Sequence, residues 1–238
     1  MSDVADNLAE LRDRIASACA RAGRDAATVD LLAVTKRIPL PLVADACRAG
    51  QRRLGENRIQ DALPRQGELD GLLRDGDDDR RVEWHFIGNL QRNKVRKAVG
   101  RFALLHAVDS LHLAERISAE AVAGALVQPV LLEVNVGEEP QKHGLEPGET
   151  VAAAVAVADL AGLDLRGFMC MARFGAPESE LRRTYASLRE LARTARAETG
   201  RPLPELSMGM SDDFEAAIAE GSTLVRVGTA IFGPRDRA

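Results

Sequence analysis

The stretch VDLLAVTKRIPLPL, residues 29–42, contains an almost uniformly apolar run that is followed by one lysine, Lys36. The apolar run before Lys36 shows no alternation with polar residues, a pattern typical of a strand that is buried on both faces of a parallel sheet. Pro39 and Pro41 stand where a helix can begin, and Gly50 stands where it can end. The stretch therefore predicts a strand–helix unit with Lys36 at the carboxyl end of its strand, the edge at which α/β folds bind ligands.

Lys36 has two interpretations. A desolvated lysine has its ammonium form disfavoured, and the neutral amine can attack a carbonyl group. A lysine at a strand end can instead cover apolar surface with its stem while its charge reaches water. Taken alone the second interpretation is the commoner one, so the rest of the chain has to decide between them.

The strand–helix pattern repeats along the chain. Before it, apolar residues recur at three- and four-residue intervals from Val4 to Cys19 and predict an N-terminal helix. Further strands are predicted in RRLGEN, VEWHFIGNL, FALLHAVDS, QPVLLEVNVG, LDLRGFMCMA, LPELSMGMSDD and TLVRVGTAIFG. Eight strands alternating with helices, at roughly thirty residues per unit, predict an α/β fold. We expect a single (β/α)8 TIM barrel with an N-terminal helix, in one domain spanning residues 1–238.

An open, doubly wound sheet is the main alternative. It predicts a GxGxxG or GxxxxGK[ST] loop after an early strand, and the sequence has neither.

Within the barrel, Pro64 and Gly67 are expected to bend or divide the third helix. Residues 91–100, QRNKVRKAVG, are expected to form a basic helix whose charges suit a helix C-terminus better than an RNA or phosphate site. The segment GDDDRR, residues 76–81, is expected to be a solvated loop.

The composition excludes several classes of protein. With 45% hydrophobic and 29% charged residues, the chain is typical of soluble globular proteins. A net charge of −4 and an aromatic fraction of 3% argue against a nucleic-acid partner. The N-terminus lacks the pattern of a signal peptide, and no stretch reaches membrane-spanning length, so we expect a cytoplasmic protein that does not bind membranes. The dispersed cysteines predict neither a disulfide nor a metal site.

The carboxyl ends of the strands meet at one rim of such a barrel, and function is found there. After the seventh strand a glycine lies between Ser207 and Ser211, just before a helix, so that hydroxyls and free backbone amides can face an anion. After the eighth strand Gly228 and Thr229 repeat the arrangement. Because these two loops are the usual phosphate site of barrels, the sequence predicts a phosphate-binding site.

Arg226 lies inside an apolar strand, where an unpaired charge is costly. It needs an acceptor, which is either a structural ion-pair partner or a ligand heteroatom. His85, between two aromatic residues, is expected to be a core histidine with satisfied hydrogen bonds. His106 and His112 belong to no catalytic or metal-binding set that the sequence indicates.

A lysine, a phosphate site and a buried arginine on one rim match the aldehyde, the phosphate and the ring nitrogen of pyridoxal 5'-phosphate. Over nearly its whole length the chain resembles the pyridoxal phosphate homeostasis protein family. The barrel of that family, a fold-type III pyridoxal-phosphate-binding barrel, is similar to the N-terminal domain of alanine racemase. The motifs that carry the resemblance are LLAVTK, GENRIQDA, WHFIGNLQRNK, HAVDS, GFMCMA, SMGMSDDFEAAI and VRVGTAIFG.

The resemblance implies a role for each candidate residue. Lys36 would form a Schiff base with the cofactor, Arg226 would face the ring nitrogen, and Asn57 would line the ring pocket. The phosphate would be held by Ser207, Ser211, Gly228 and Thr229. His143 departs from the family pattern, in which a small residue is expected after Lys142, and no role is assigned to either residue.

Two classes of function suit such a site. One is a carrier that holds pyridoxal phosphate and passes it to apo enzymes, and the other is an amino-acid racemase. The resemblance to alanine racemase implies a second domain with a tyrosine base, whereas this sequence ends after the eighth strand and its one tyrosine, Tyr185, lies in a helix. An arginine at the ring nitrogen also weakens the electron sink that racemases use. We therefore expect a monomeric, non-catalytic carrier, with a Schiff-base enzyme for a phosphorylated metabolite as a third hypothesis.

Overall fold

The computed structural model describes residues 3–73, 81–137 and 143–233. Eight parallel strands form a closed barrel in chain order, in which the last strand pairs with the first. The predicted (β/α)8 barrel is thus confirmed. The strands are β1 (Asp30–Val34), β2 (Arg53–Glu56), β3 (Glu83–Phe86), β4 (Leu104–Val108), β5 (Gln128–Glu133), β6 (Leu163–Met169), β7 (Glu205–Ser207) and β8 (Leu224–Val227).

Helices surround the barrel, and their apolar faces pack against the outward-facing strand residues. The N-terminal helix packs beside the last two helices and beside the helix that follows β1, and so lies over the junction of β8 and β1. The helices are α1 (Val4–Arg21), α2 (Leu40–Arg48), α3 (Ile59–Leu73), α4 (Val95–Ala98), α5 (Leu111–Ala123), α6 (Pro147–Ala158), α7 (Glu178–Thr199), α8 (Phe214–Ala219) and α9 (Thr229–Phe232). None of the described helices is both long and apolar enough to cross a membrane.

Two local predictions can be compared with the structure. The expected basic helix is present but shorter than residues 91–100: a 3-10 turn, Arg92–Lys94, is followed by the single turn of α4. Val99 is already extended and Gly100 has φ +73°, so the chain turns towards β4 too early for a longer helix. Pro64 lies within α3 without dividing it, so of the two predicted effects only a bend of the helix stays a prediction. The segment 76–81 lies almost wholly outside the described residues.

The interior of the barrel is partly polar. A small apolar cluster there consists of Leu104, Ala107, Leu131 and Met169. Beside this cluster, four buried polar side chains are contributed by β3, β4, β7 and β8, namely His85, His106, Ser207 and Arg226. Buried polar groups are costly unless they are hydrogen-bonded, so the bonds of these four residues decide how the barrel tolerates them.

Candidate functional site

Lys36 lies in the turn that follows β1, at the carboxyl rim of the barrel. Its side chain is half-buried. The next residue, Arg37, has φ +60°, a left-handed conformation that residues other than glycine seldom adopt. The chain therefore changes direction immediately after the lysine, as expected for a residue that presents its side chain at the rim.

The guanidinium of Arg65, from α3, holds the Lys36 turn on both sides. Its Nη2 donates to the carbonyl of Thr35, at 3.2 Å, and to the carbonyl of Ile38, at 2.8 Å. Its Nε lies 3.2 Å from the buried carboxylate of Glu56, within ion-pair distance but without hydrogen-bond alignment. That carboxylate also accepts the hydroxyl of Thr35 at 2.8 Å. The backbone around Lys36 is therefore tied to β2 and α3.

Burial raises the pKa of Glu56, and the hydrogen bond from Thr35 and the charge of Arg65 oppose this rise. The carboxylate is 2% exposed, so its charge depends on these two partners. Glu56 was predicted at this rim, as the last residue of a strand, but Arg65 was missed, because an arginine within a helix is not distinguished by any local pattern.

Asn57 follows β2, and its backbone touches the chain after β3. A Cβ atom on Gly88 would lie 2.3 Å from the carbonyl oxygen of Asn57, so only a glycine permits this approach. The amide of Ile87 also donates to the carbonyl of Glu56 at 2.9 Å. Asn57, which is half-buried, is thus fixed at the rim between β2 and β3.

The loop after β7 folds back on α8. Gly209 has φ +95°, and a Cβ atom there would lie 2.7 Å from the Cβ of Ala217. The amide of Arg226 donates to the carbonyl of Gly209 at 2.9 Å, and the carboxylate of Asp213 accepts the amide of Met210 at 2.5 Å. The shape of this loop is therefore set by backbone hydrogen bonds and by a required glycine.

Three of the predicted phosphate-binding residues lie in neighbouring loops. Ser211 is half-buried in the turn before α8, and Thr229 is the exposed first residue of α9, directly after Gly228. The first amides of a helix have no partner within it and are free to bind other acceptors. Since β8 pairs with both β7 and β1, these loops and the Lys36 turn share one side of the rim.

Arg226 and Ser207 lie inside the barrel, 5% and 0% exposed. Nη1 of Arg226 donates to the hydroxyl oxygen of Ser207 at 2.8 Å and to its carbonyl oxygen at 2.6 Å, and Nη2 donates to the carbonyl of Cys170 at 2.9 Å. Within the described ranges no carboxylate lies at ion-pair distance from Arg226, so its direct acceptors are uncharged oxygens. These bonds leave further N–H groups of the guanidinium for a ligand.

His106 extends this arrangement across the barrel. Its Nδ1 lies 2.9 Å from the hydroxyl oxygen of Ser207, and its Nε2 lies 2.9 Å from Nδ1 of His85. Burial lowers the pKa of His106 well below 6.5, and the neighbouring His85 and Arg226 lower it further. His85 is a core histidine with a hydrogen-bond partner, as predicted, but the sequence assigned His106 to no set. Strand alternation could have identified His106. Leu104 pairs with His85 in the neighbouring strand, and residues two positions apart on a strand share a face. His106 therefore lies on the same face of β4 as Leu104, the face that meets His85.

Tyr185 is buried on α7 and hydrogen-bonded to Asp213, in the loop after β7. Burial raises the pKa of Tyr185, and the neighbouring carboxylate raises it further. A tyrosine that is neutral and engaged in this way supports the loop and is not a free base.

The other side of the rim is acidic. Asp109, after β4, accepts from the side-chain amide of Asn89 and from the hydroxyl of Ser110, each at 3.2 Å. Burial and the charge of Asp109 raise the pKa of Glu133, at the end of β5. Nδ1 of His143 lies 3.8 Å from the carboxylate of Asp109, and Lys142 is outside the described residues.

The donor set fits a ligand that carries an aldehyde, a phosphate and a ring nitrogen. An amine, two hydroxyl-bearing loops and a guanidinium with further donors occupy neighbouring strands β7, β8 and β1. In the part of the chain that the structure describes, no group of three or more histidine, cysteine or acidic side chains is arranged to hold a metal ion.

Comparisons with known proteins agree with this chemistry. The family model for the N-terminal domain of alanine racemase matches residues 7–236. The pyridoxal phosphate homeostasis protein of Pseudomonas aeruginosa is 44% identical over 236 residues, which cover 99% of this chain and 97% of that protein. The protein of the same name from Escherichia coli K12 is 43% identical over 238 residues, covering 99% and 98%. PipY of Synechococcus elongatus, solved with pyridoxal phosphate bound, superposes with a TM-score of 0.83 at 36% identity, over 97% of this chain and 100% of PipY.

Proposed function

This chain belongs to the pyridoxal phosphate homeostasis protein family, and we propose on that premise that it binds pyridoxal 5'-phosphate and helps to regulate the supply of this cofactor. The observation that carries the proposal is the meeting of Lys36, the loops after β7 and β8, and Arg226 on neighbouring strands of one barrel. These groups match the three reactive parts of the cofactor. The names of the two bacterial relatives and the pyridoxal phosphate bound to PipY point to the same cofactor, independently of the geometry.

Each residue has a part in holding the cofactor. The bound cofactor supplies an aldehyde that amines capture reversibly, and Lys36 is the amine at this rim. Arg65 keeps the Lys36 turn in place through the carbonyls on both sides of it. Ser211 and Thr229 donate their hydroxyls, and the chain at Gly228 its backbone amides, to the phosphate. Asn57 borders the ring.

Arg226 directs a permanently charged donor at the ring nitrogen. A guanidinium does not give up its proton at physiological pH, so the nitrogen facing it stays an acceptor. Ser207, which the sequence grouped with the phosphate ligands, enters the proposal as the residue that holds Arg226, because its hydroxyl and carbonyl oxygens both accept from this side chain. A direct contact of Ser207 with the phosphate stays a prediction.

We propose further that the protein holds the cofactor without efficient turnover of amino acids. Racemisation needs a base on each face of the substrate. Tyr185 is buried and bonded to Asp213, and Arg226 leaves the ring a poor electron sink. Delivery to apo enzymes, a monomeric state, a cytoplasmic location and a single domain over residues 1–238 belong to the same proposal.

The experiment is an absorbance spectrum of the purified protein with and without borohydride, followed by peptide mass mapping. Binding through a lysine gives a visible band that borohydride removes, and the reduced cofactor adds its mass to the peptide that contains Lys36. A visible band with label on another lysine would move the site. A protein that stays colourless after incubation with pyridoxal phosphate would refute the proposed function and favour a phosphorylated metabolite as ligand.

A further inference from the structure

A continuous series of polar groups runs through the barrel from the rim to the opposite face. It begins with Arg226 and Ser207 near the carboxyl rim, passes through His106 and His85, each link at 2.8–2.9 Å, and ends at Glu83. Nε2 of His85 faces the carboxylate of Glu83 at 4.0 Å, within ion-pair distance but longer than a hydrogen bond. Glu83 is the first residue of β3 and thus stands at the amino face of the barrel, remote from the proposed cofactor site.

The charges at the two ends give this series a direction. Arg226 is a cation that only donates. The neighbouring His85 and the ion pair with Arg53 lower the pKa of Glu83 to about 2 against the opposing effect of burial, so Glu83 is an anion that only accepts. His106 is neutral, because its pKa is far below 6.5, and a neutral imidazole carries one N–H group.

Only one arrangement of hydrogens satisfies both ends when each of the two rings carries one N–H group. The hydroxyl of Ser207 donates to Nδ1 of His106, Nε2–H of His106 donates to Nδ1 of His85, and Nε2–H of His85 points at Glu83. In the reverse arrangement a lone pair on Nε2 of His85 would face the carboxylate, two acceptors without a hydrogen between them. The first arrangement leaves the lone pairs of the Ser207 hydroxyl to the guanidinium.

We propose that His106 and His85 are positioning residues for Arg226, and that Glu83 on the far face of the barrel fixes the direction of their hydrogen bonds. The proposal rests on the proposed binding of pyridoxal phosphate, in which Arg226 contacts the ring nitrogen. By taking the hydroxyl hydrogen of Ser207, His106 keeps the guanidinium anchored and its remaining N–H groups aimed at the ring. Residues that do not touch the cofactor thereby set how firmly it is held.

The amino face also gives this series an opening to solvent. His85 and Glu83 line a cavity of about 220 Å³ there. The other charged residues around this cavity are Asp30, Arg53, Asp164, Arg166 and Glu205. Among them Glu205 forms an ion pair with Arg166, as Glu83 does with Arg53, and it also accepts from the hydroxyl of Thr223, but in the described part of the chain it has no hydrogen bond or ion pair with either histidine of the series. Glu205 is therefore a matched control for Glu83.

The first test uses the cofactor-free protein with 15N-labelled histidine. At pH 7.5 both buried rings should show the nitrogen chemical shifts of the Nε2–H tautomer. The signals of His112 and His143 are identified by their loss in His112→Gln and His143→Gln, and that of His85 by its loss in His85→Gln, which leaves His106. An Nδ1–H tautomer at His106 would overturn the proposal. This result does not depend on whether the protein binds pyridoxal phosphate.

The second test measures release of pyridoxal phosphate and the position of its visible band. We expect roughly tenfold faster release from His106→Leu and a smaller, about threefold, increase from Glu83→Ala, with a shift of the band in both. His106→Asn, whose amide oxygen can still accept from Ser207, should restore part of the loss. Glu205→Ala should behave as the wild type.

The use of two variants keeps the test decisive if one of them does not fold. If His106→Leu does not fold, Glu83→Ala decides, because half of that side chain is exposed and its loss leaves the core packed. Wild-type release and spectrum in Glu83→Ala, or equal effects of Glu83→Ala and Glu205→Ala, would overturn the proposal. A wild-type protein that never retains the cofactor would instead refute the proposed function, while the tautomers still decide the series itself.

Discussion

Nη1 of Arg226 donates to both oxygens of Ser207, the hydroxyl at 2.8 Å and the carbonyl at 2.6 Å. One residue of β7 thus anchors the guanidinium of the neighbouring strand, and the carbonyl of Cys170 completes the anchor from β6. A buried charge is tolerated when its hydrogen bonds are satisfied, and these bonds explain how an arginine fits into an otherwise apolar strand. They also place its charge where a ring nitrogen can meet it.

Lys36→Ala should lose the visible absorbance of the protein incubated with pyridoxal phosphate, because no other amine is expected at this point of the rim. Circular dichroism should remain that of a folded α/β protein, since the side chain is only half-buried. Lys94→Ala, which changes another half-buried lysine, bonded to Gln60, is the control and should keep the band. A coloured Lys36→Ala protein whose band borohydride removes would contradict the assignment.

The double variant Ser211→Ala, Thr229→Ala should release the cofactor faster. Each hydroxyl is expected to donate a charge-assisted hydrogen bond to the phosphate, worth roughly 1.5–3 kcal/mol. The measurement is retention of the visible band during dialysis. Thr194→Ala, which removes an exposed hydroxyl that donates to the carbonyl of Glu190 within α7, is the control. Retention equal to that of the wild type would place the phosphate elsewhere.

Arg65→Met should weaken both stability and cofactor retention. The substitution removes the partner of the buried Glu56 and the two bonds to the backbone beside Lys36, and breaking a buried ion pair costs about 3–5 kcal/mol when the remaining charge stays buried. Urea denaturation measures the stability and the visible band measures retention. Arg48→Met, which loses an exposed ion pair on α2 and an exposed bond to the carbonyl of Leu72, should change the free energy of unfolding by less than about 1 kcal/mol. A stable variant with normal retention would show that the contacts of Arg65 with Glu56 and with the Lys36 turn have no role in cofactor binding.

The barrel was predictable because eight buried strands leave a clear pattern of apolar runs separated by helices. The rim position of Lys36 followed from the same pattern, since a lysine that ends such a run must stand at its carboxyl edge. Ser207 was harder: one serine before a glycine looks like part of a loop, but it is the last residue of β7 and its hydroxyl lies inside the barrel. The contact of His106 with Ser207 joins residues 101 positions apart on strands that are not neighbours, and no local pattern encodes such a contact.

The pH dependence of stability should carry the signature of His106. Its pKa in the folded protein is well below the ordinary value near 6.5, so between these values the unfolded chain binds a proton that the folded protein does not. Stability is therefore unaffected above about pH 6.5 and falls as the pH drops below it, by up to about 1.4 kcal/mol per pH unit.

His106→Asn should lose this slope, although the variant is less stable at neutral pH. The measurement is urea denaturation of both proteins between pH 7.5 and pH 5. His112→Asn, at an exposed position of α5, should keep the wild-type slope. Equal slopes in wild type and His106→Asn would mean that His106 takes up its proton at the same pH in the folded and in the unfolded protein.

The last prediction is that the loaded protein holds pyridoxal phosphate without turning over amino acids. Exchange of the α-hydrogen needs a base that reaches it and a ring that accepts the resulting electron pair. Tyr185 is buried against Asp213, and Arg226 keeps the ring nitrogen an acceptor, so neither requirement is met by these residues. The loaded protein is incubated with L-alanine and with D-alanine in deuterated water, and α-deuterium and enantiomer interconversion are followed. In parallel it is mixed with an apo pyridoxal phosphate enzyme, whose activity should recover as the cofactor passes over. Deuterium exchange at enzymatic rates that disappears in Lys36→Ala would make this protein an enzyme, because the same lysine would then be both the anchor and the base.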